Sequence, residues 1–187
     1  MSERLFAGGT LPQLLLKNRE RWGTRSVALR TKEYGIWREY SWTECCERTK
    51  GIFLGLRSLG LKTGTHVCIL GRNSPEWFFC EMAVQAAGGV LSGIDEGVSA
   101  DDTERLISSD GVELALAEDQ EQVDKLLAIK GRLPRLKRIV YWRAKGVDHY
   151  TDSILLSLQD LVKAGGEYEA THSRDFEDNV AEGKSED

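Results

Sequence analysis

The stretch HVCILGRNSPEWFFCEMAVQAAGGVLSGI, residues 66–94, decides the fold. Its first five residues, His66 to Leu70, are a short apolar run bounded by Gly64-Thr65 and Gly71, the pattern of a buried strand. Asn73-Ser74-Pro75-Glu76 then opens a helix, with Pro75 at the position where a missing N–H costs least. Trp77 to Ala87 is apolar nearly all round apart from Glu81 and Gln85, so Trp77 and Phe78 are expected in the core. Gly88-Gly89 ends the helix, and Val90–Ile94 is a second apolar strand.

The alternation continues outward. Ser99 ahead of Asp101-Asp-Thr-Glu104 predicts a capped helix running to about Ser109. Glu113–Ala117 reads as a third strand, Asp119–Lys130 as a helix closed by Gly131, and Arg138–Trp142 as a fourth strand. Asp152 is expected to cap a last helix, Ser153–Lys163, ending at Gly165-Gly166. Upstream, Thr10 and Pro12 start a helix with Leu11, Leu14, Leu15 and Trp22 on one stripe, stopped by Gly23. Val27–Thr31 and Ile36–Ser41 form a hairpin with Gly35 in its turn, and Ser41-Trp-Thr-Glu44 is a capping box opening a helix to Gly60. The fold class is therefore α/β: a mostly parallel sheet flanked by helices on both faces, with a small N-terminal β-hairpin. Residues 1–166 form this unit, and 167–187, with eight acids against two bases, are expected to be an acidic linker or exposed arm.

The 187 residues suffice for one domain with its own core. Hydrophobic residues at 41% and charged residues at 29% exclude collagen-like and wholly disordered classes. A net charge of −5 argues against nucleic acid as a partner. No signal peptide or run of 18 apolar residues is present. Cys45, Cys46, Cys68 and Cys80 form no C-x-x-C pair, and His66, His149 and His172 lie far apart, so buried reduced thiols, no metal site and a cytoplasmic setting are expected.

Ligands of open parallel sheets gather at the carboxyl ends of the strands. Here those loops are Gly71–Ser74 and Asp95–Ser99, which makes Asn73, Ser74 and Asp95 candidate substrate-binding residues. Neither G-x-G-x-x-G, G-x-x-x-x-G-K-[ST] nor G-x-S-x-G occurs, so no catalytic residue is assigned. The acid pairs Asp101-Asp102 and Glu118-Asp119 sit at helix starts, where capping and the helix dipole account for them. The five tryptophans, Trp22, Trp37, Trp42, Trp77 and Trp142, are embedded in periodic segments and are expected to be core.

A series of motifs adds to this reading. Arg30-Thr-Lys-Glu-Tyr-Gly35-Ile-Trp-Arg-Glu-Tyr40-Ser-Trp-Thr-Glu44, Leu59-Gly-Leu-Lys-Thr-Gly64, Ile69-Leu-Gly-Arg-Asn73-Ser-Pro-Glu-Trp77 and Gln85-Ala-Ala-Gly-Gly-Val90 follow one another, then Asp119-Gln-Glu-Gln-Val-Asp-Lys125 and Leu133-Pro-Arg-Leu136. In order and spacing, over residues 11 to about 142, the series resembles the N-terminal subdomain of long-chain fatty-acyl-CoA synthetases of the adenylate-forming superfamily. The resemblance implies a parent enzyme that joins a fatty acid to coenzyme A through an acyl-adenylate, using ATP and Mg²⁺. It also implies that the phosphate loop, metal motif and catalytic lysine of that family lie beyond these residues. The chain alone is then expected to be inactive and to bind none of ATP, Mg²⁺ or coenzyme A tightly. Its partners would be the remainder of the synthetase and the fatty acid, with a homodimer and peripheral membrane contact as further expectations. Arg105 falls near an arginine that contacts coenzyme A phosphates in acetyl-type relatives. Where relatives carry a Tyr-Pro-Thr-like segment, this chain has Asp95-Glu-Gly-Val98. The alternative is an interaction or regulatory module that kept the scaffold without the catalysis.

Overall fold

The computed structural model describes residues 9–108 and 111–184. The first helix, α1 (Leu11–Trp22), starts at Thr10, which exchanges hydrogen bonds with Gln13 in a reciprocal capping box, and stops at Gly23. Strands β1 (Val27–Glu33) and β2 (Ile36–Ser41) pair antiparallel across a tight turn. Tyr34 and Gly35 both take positive φ, 48° and 83°, the twist that a two-residue hairpin loop demands. Ser41 and Glu44 form the expected capping box of α2 (Trp42–Ser58).

Then comes the sheet: β3 (His66–Leu70), β4 (Val90–Ile94), β5 (Leu114–Ala117), β6 (Arg138–Tyr141) and β7 (Leu155–Ser157). All neighbours run parallel in the order β4-β3-β5-β6-β7. The connecting helices are α3 (Pro75–Ala86), α4 (Ala100–Ser108) and α5 (Gln120–Ile129), followed after β7 by α6 (Leu158–Glu169) and α7 (Asp175–Glu182).

The period of two along each strand divides the core. Val67, Ile69, Leu114, Leu116 and Val140 point to one side, where α1, α2, α3, α6 and α7 pack. Cys68, Leu70, Ala115, Ala117 and Ile139 point to the other, against Ile107 of α4 and Val123, Leu126 and Ile129 of α5. Both faces of the sheet are thus covered, which is why its strands read as continuous apolar runs.

Several expectations need correction. Asp152 does not cap a helix; its Oδ1 accepts from Ile154 N in a loop, and the following residues form the fifth strand, β7. The helix beyond it is capped by Ser157 and runs through Gly165-Gly166 to Glu169. Residues 167–184 of the expected arm do not form one: α7 buries Phe176 and Val180 on the helical layer, with Phe176 edge-on to Phe53 at 5.2 Å. Its acids find Arg57 and Lys50, so the composition that argued for disorder forms an ion-paired rim. Trp22 and Trp37 are exposed rather than core, and Trp77 and Phe78 are only half-buried, the fully buried aromatic of α3 being Phe79. The expected helix end at Ser109, and the end of the acidic tail at residues 185–187, lie outside the described residues.

Candidate functional site

The parallel strands end together at Leu70, Ile94, Ala117 and Tyr141, and the backbone ties their exits side by side. Gly71 N donates to Ile94 O at 3.4 Å, Glu118 N to Leu70 O at 2.9 Å, and Arg143 N to Glu118 O at 2.8 Å. Glu118 is the centre of this edge. Its side chain is 1% exposed, yet it carries a carboxylate, which is costly to bury unless its oxygens are satisfied. Arg72 N donates to Oε2 at 2.6 Å, while Arg72 Nη2 and Arg143 Nη1 reach Oε1 at 3.2 and 3.3 Å. Arg72 also pairs through Nε with Glu96 at 3.2 Å, and Lys125 donates to the Glu96 carbonyl. One acid therefore fastens the loops that follow β3, β5 and β6, and Arg72 carries the tie to the loop after β4. The Glu118 carboxylate, by accepting a hydrogen bond from Arg72, pushes the Arg72 guanidinium pKa up.

Gly71 makes this approach possible. A Cβ there would stand 2.6 Å from Glu118 Cβ and 3.2 Å from Trp142 Cζ2. Trp142 Nε1 is buried without a hydrogen-bond partner among the described residues.

The residues anticipated from sequence are placed as follows. Asn73 is exposed on the loop after β3. Ser74 accepts from Trp77 N at 3.2 Å and so caps α3, and Asp95 Oδ1 accepts from Gly97 N at 2.8 Å, ordering its own turn. These three share the carboxyl edge of the sheet with Glu118. Arg105 sits in the last turn of α4 and pairs with Asp102 of its own helix, with its side chain 75% exposed. The neighbouring acids Asp101 and Glu104 bind Arg132 instead. The pair Glu118-Asp119 splits: Asp119 caps α5 through Gln122 N as expected, whereas Glu118 is the buried hub. A cleft of about 460 Å³ lies at the opposite end of the sheet, lined by Thr63, Gly88 and Gly89 and by the end of α7.

What the edge can do is present a rigid, charged rim, since Arg72 and Arg143 keep about half of each side chain (53% and 47%) in solvent. Beyond geometry, residues 17–175 match the family described as AMP-binding enzyme. The chain belongs to that family. Among curated relatives, the Drosophila melanogaster long-chain-fatty-acid–CoA ligase heimdall is 36% identical over 104 residues, 56% of this chain and 15% of the relative. The Bos taurus long-chain-fatty-acid–CoA ligase ACSBG1 is 30% identical over 134 residues, 72% of this chain and 18% of the relative. The fold is shared with an anthranilate CoA ligase, AuaEII, in complex with anthranoyl-AMP: TM-score 0.71 at 19% identity, over 87% of this chain and 30% of that one. The chain thus spans less than a fifth of the length of these two curated relatives. As a family member it carries the parallel α/β layer and the hairpin anticipated from sequence, with five strands where four were expected.

Proposed function

We propose that this chain is the N-terminal α/β portion of a long-chain fatty acid–CoA ligase, and that it supplies a wall of the substrate site without performing adenylation itself. The observation that carries the reading is the family match over 17–175 together with curated relatives that are long-chain fatty acid–CoA ligases. In this reading the parent joins fatty acid and ATP to an acyl-adenylate and pyrophosphate, then exchanges AMP for coenzyme A. The adenylate is needed because a free carboxylate is a poor acceptor for a thiolate, and AMP is a workable leaving group. Such chemistry calls for a phosphate cradle and a cation to spread developing charge. Among the described residues no group of three or more His, Cys, Asp or Glu side chains could hold a metal ion, so no step through Mg²⁺ is assigned to them. Their contribution is positional: Glu118 locks Arg72 and Arg143, and with them the loops bearing Asn73 and Asp95, at the edge where ligands of such sheets collect.

Pyrophosphate release from ATP and palmitate, with Mg²⁺ and coenzyme A present, tests both halves. The purified 187 residues are expected to stay at background, and the same residues followed by the ligase remainder to form palmitoyl-CoA. Turnover by the 187 residues alone, or an inert longer protein, would overturn the reading.

A further inference from the structure

The β1–β2 turn has Tyr34 ahead of Gly35 where such a loop favours Asn, and large apolar side chains follow it at the start of β2. Tyr34 is fully exposed and holds a left-handed φ of 48°, a conformation that bulky side chains seldom adopt. Ile36 is 74% exposed and Trp37 58%. The register puts Trp37 opposite Lys32 and Ile36 opposite Glu33, so the two apolar groups point to opposite faces of the same tip. One step back from the tip stand cations. Arg30 and Lys32 lie 5.8 and 5.7 Å from the Trp37 ring centroid on one face, and Arg38, exposed on the other face, lies 5.2 Å from the Tyr40 ring centroid. Of the two acids here, Glu39 is paired to Arg30 at 2.7 Å, and Glu33 stands exposed near the tip. Charge is segregated over a longer stretch: residues 17–39 hold seven bases and three acids in a chain of net charge −5.

We propose that this hairpin is a membrane contact, with Tyr34, Ile36 and Trp37 entering the headgroup layer of an anionic bilayer and Arg30, Lys32 and Arg38 lying against its phosphates. A tip apolar on both faces fits a fluid layer that closes around it better than a flat protein surface. Amphipathic aromatic rings settle at headgroup depth, and cations behind them meet the negative surface potential. The proposal stands on the hairpin and not on the ligase reading.

The experiment is sedimentation of the 187-residue chain with vesicles of phosphatidylcholine alone or enriched in phosphatidylserine. Binding to the phosphatidylserine vesicles, weakened by salt, is expected. Ile36→Thr and Trp37→Thr should reduce it, Lys32→Gln should weaken it about fivefold, and Glu33→Gln should strengthen it. Tyr34→Asn separates contact from fold: Asn suits a left-handed φ, so binding should fall while the melting temperature holds or rises. Val90→Thr, on an exposed position of the sheet edge, should leave binding unchanged. Equal affinity for both vesicles, an equal loss with Val90→Thr, or no sedimentation at all would overturn the proposal. So would a dimer abolished by Trp37→Thr without vesicle binding, which would mark the tip as a protein contact.

Discussion

Glu118 shows how a single side chain can organise an edge. Glu118→Ala removes the acceptor of Arg72 N and of two guanidinium groups, whereas Glu118→Gln keeps an oxygen for the backbone donor. Because both arginines can turn to water, we expect about 2 kcal/mol for the Ala variant and less for Gln, read as urea midpoints. Gly71→Ala should cost as much or more, since its Cβ would fall 2.6 Å from Glu118 Cβ and its φ of 149° suits glycine. Asp119 was legible as a cap because capping is local, whereas the role of Glu118 depends on Arg72 and Arg143, 46 and 25 positions away, and no pattern around residue 118 signals them. The cysteines give a pH-dependent prediction. Burial pushes the Cys45 thiol from the ordinary 9.0 up to about 11 and the Cys68 thiol up to about 12. Unfolded thiols ionise first, so the stabilisation is intact below pH 9 and is lost as pH rises toward those values. Each thiol should cost about 1.4 kcal/mol per pH unit across that window. Denaturation midpoints should fall above pH 9, and Cys68→Ala should flatten the slope; an unchanged slope would refute the assignment.

Helix contacts depend on what glycine leaves out. Where α2 crosses α6, a Cβ on Gly165 would lie 2.6 Å from Gly55 N and one on Gly55 2.5 Å from Leu161 O, so the two backbones touch. Gly165→Ala should therefore separate the helices and cost about 3 kcal/mol, with loss of the Leu161 contact. Its neighbour Gly166 has nothing within 4 Å of a built Cβ, and Gly166→Ala should stabilise by about 0.5–1 kcal/mol. Thermal melts of the two adjacent variants should move in opposite directions. The same elements show what sequence could and could not convey. Strands β3 to β6 were legible because each is an apolar run punctuated by glycine or proline. Strand β7, only Leu155-Leu-Ser157, merges with the helix that follows, so its residues read as a first turn. Helix α7 was concealed by its acids, since Phe176 and Val180 are too few to predict burial without knowing that Phe53, Lys50 and Arg57 wait for them.

At the scale of the molecule, the sheet and the hairpin differ in how they are held. Strand β5 is buried along its whole length, paired on both sides by β3 and β6 and covered on both faces. Among the described residues, the outer strands β4 and β7 each have one unpaired edge. The hairpin is a separate two-stranded sheet, fastened to the core through Leu29 and Tyr40 near its base, the latter edge-on to Phe79 at 5.6 Å. Two strands alone are marginal in water, so its distal half should open by local fluctuations that leave the core intact. Amide hydrogen exchange should accordingly be slowest at Ala115 and Leu116, faster in β4, and fastest for the pairs between Thr31–Arg38 and Glu33–Ile36. Phe79→Ala distinguishes this hierarchy from uniform looseness. Phe79 is fully buried, so the variant should cost about 3–5 kcal/mol overall. Because Phe79 also seats Tyr40, exchange should accelerate at the hairpin base as well as throughout the core. Trp77→Ala, on a half-buried residue of the same helix, should cost less and leave the hairpin base protected. If β5 exchanged as fast as the hairpin tip in the native protein, the two-face core described here would be wrong.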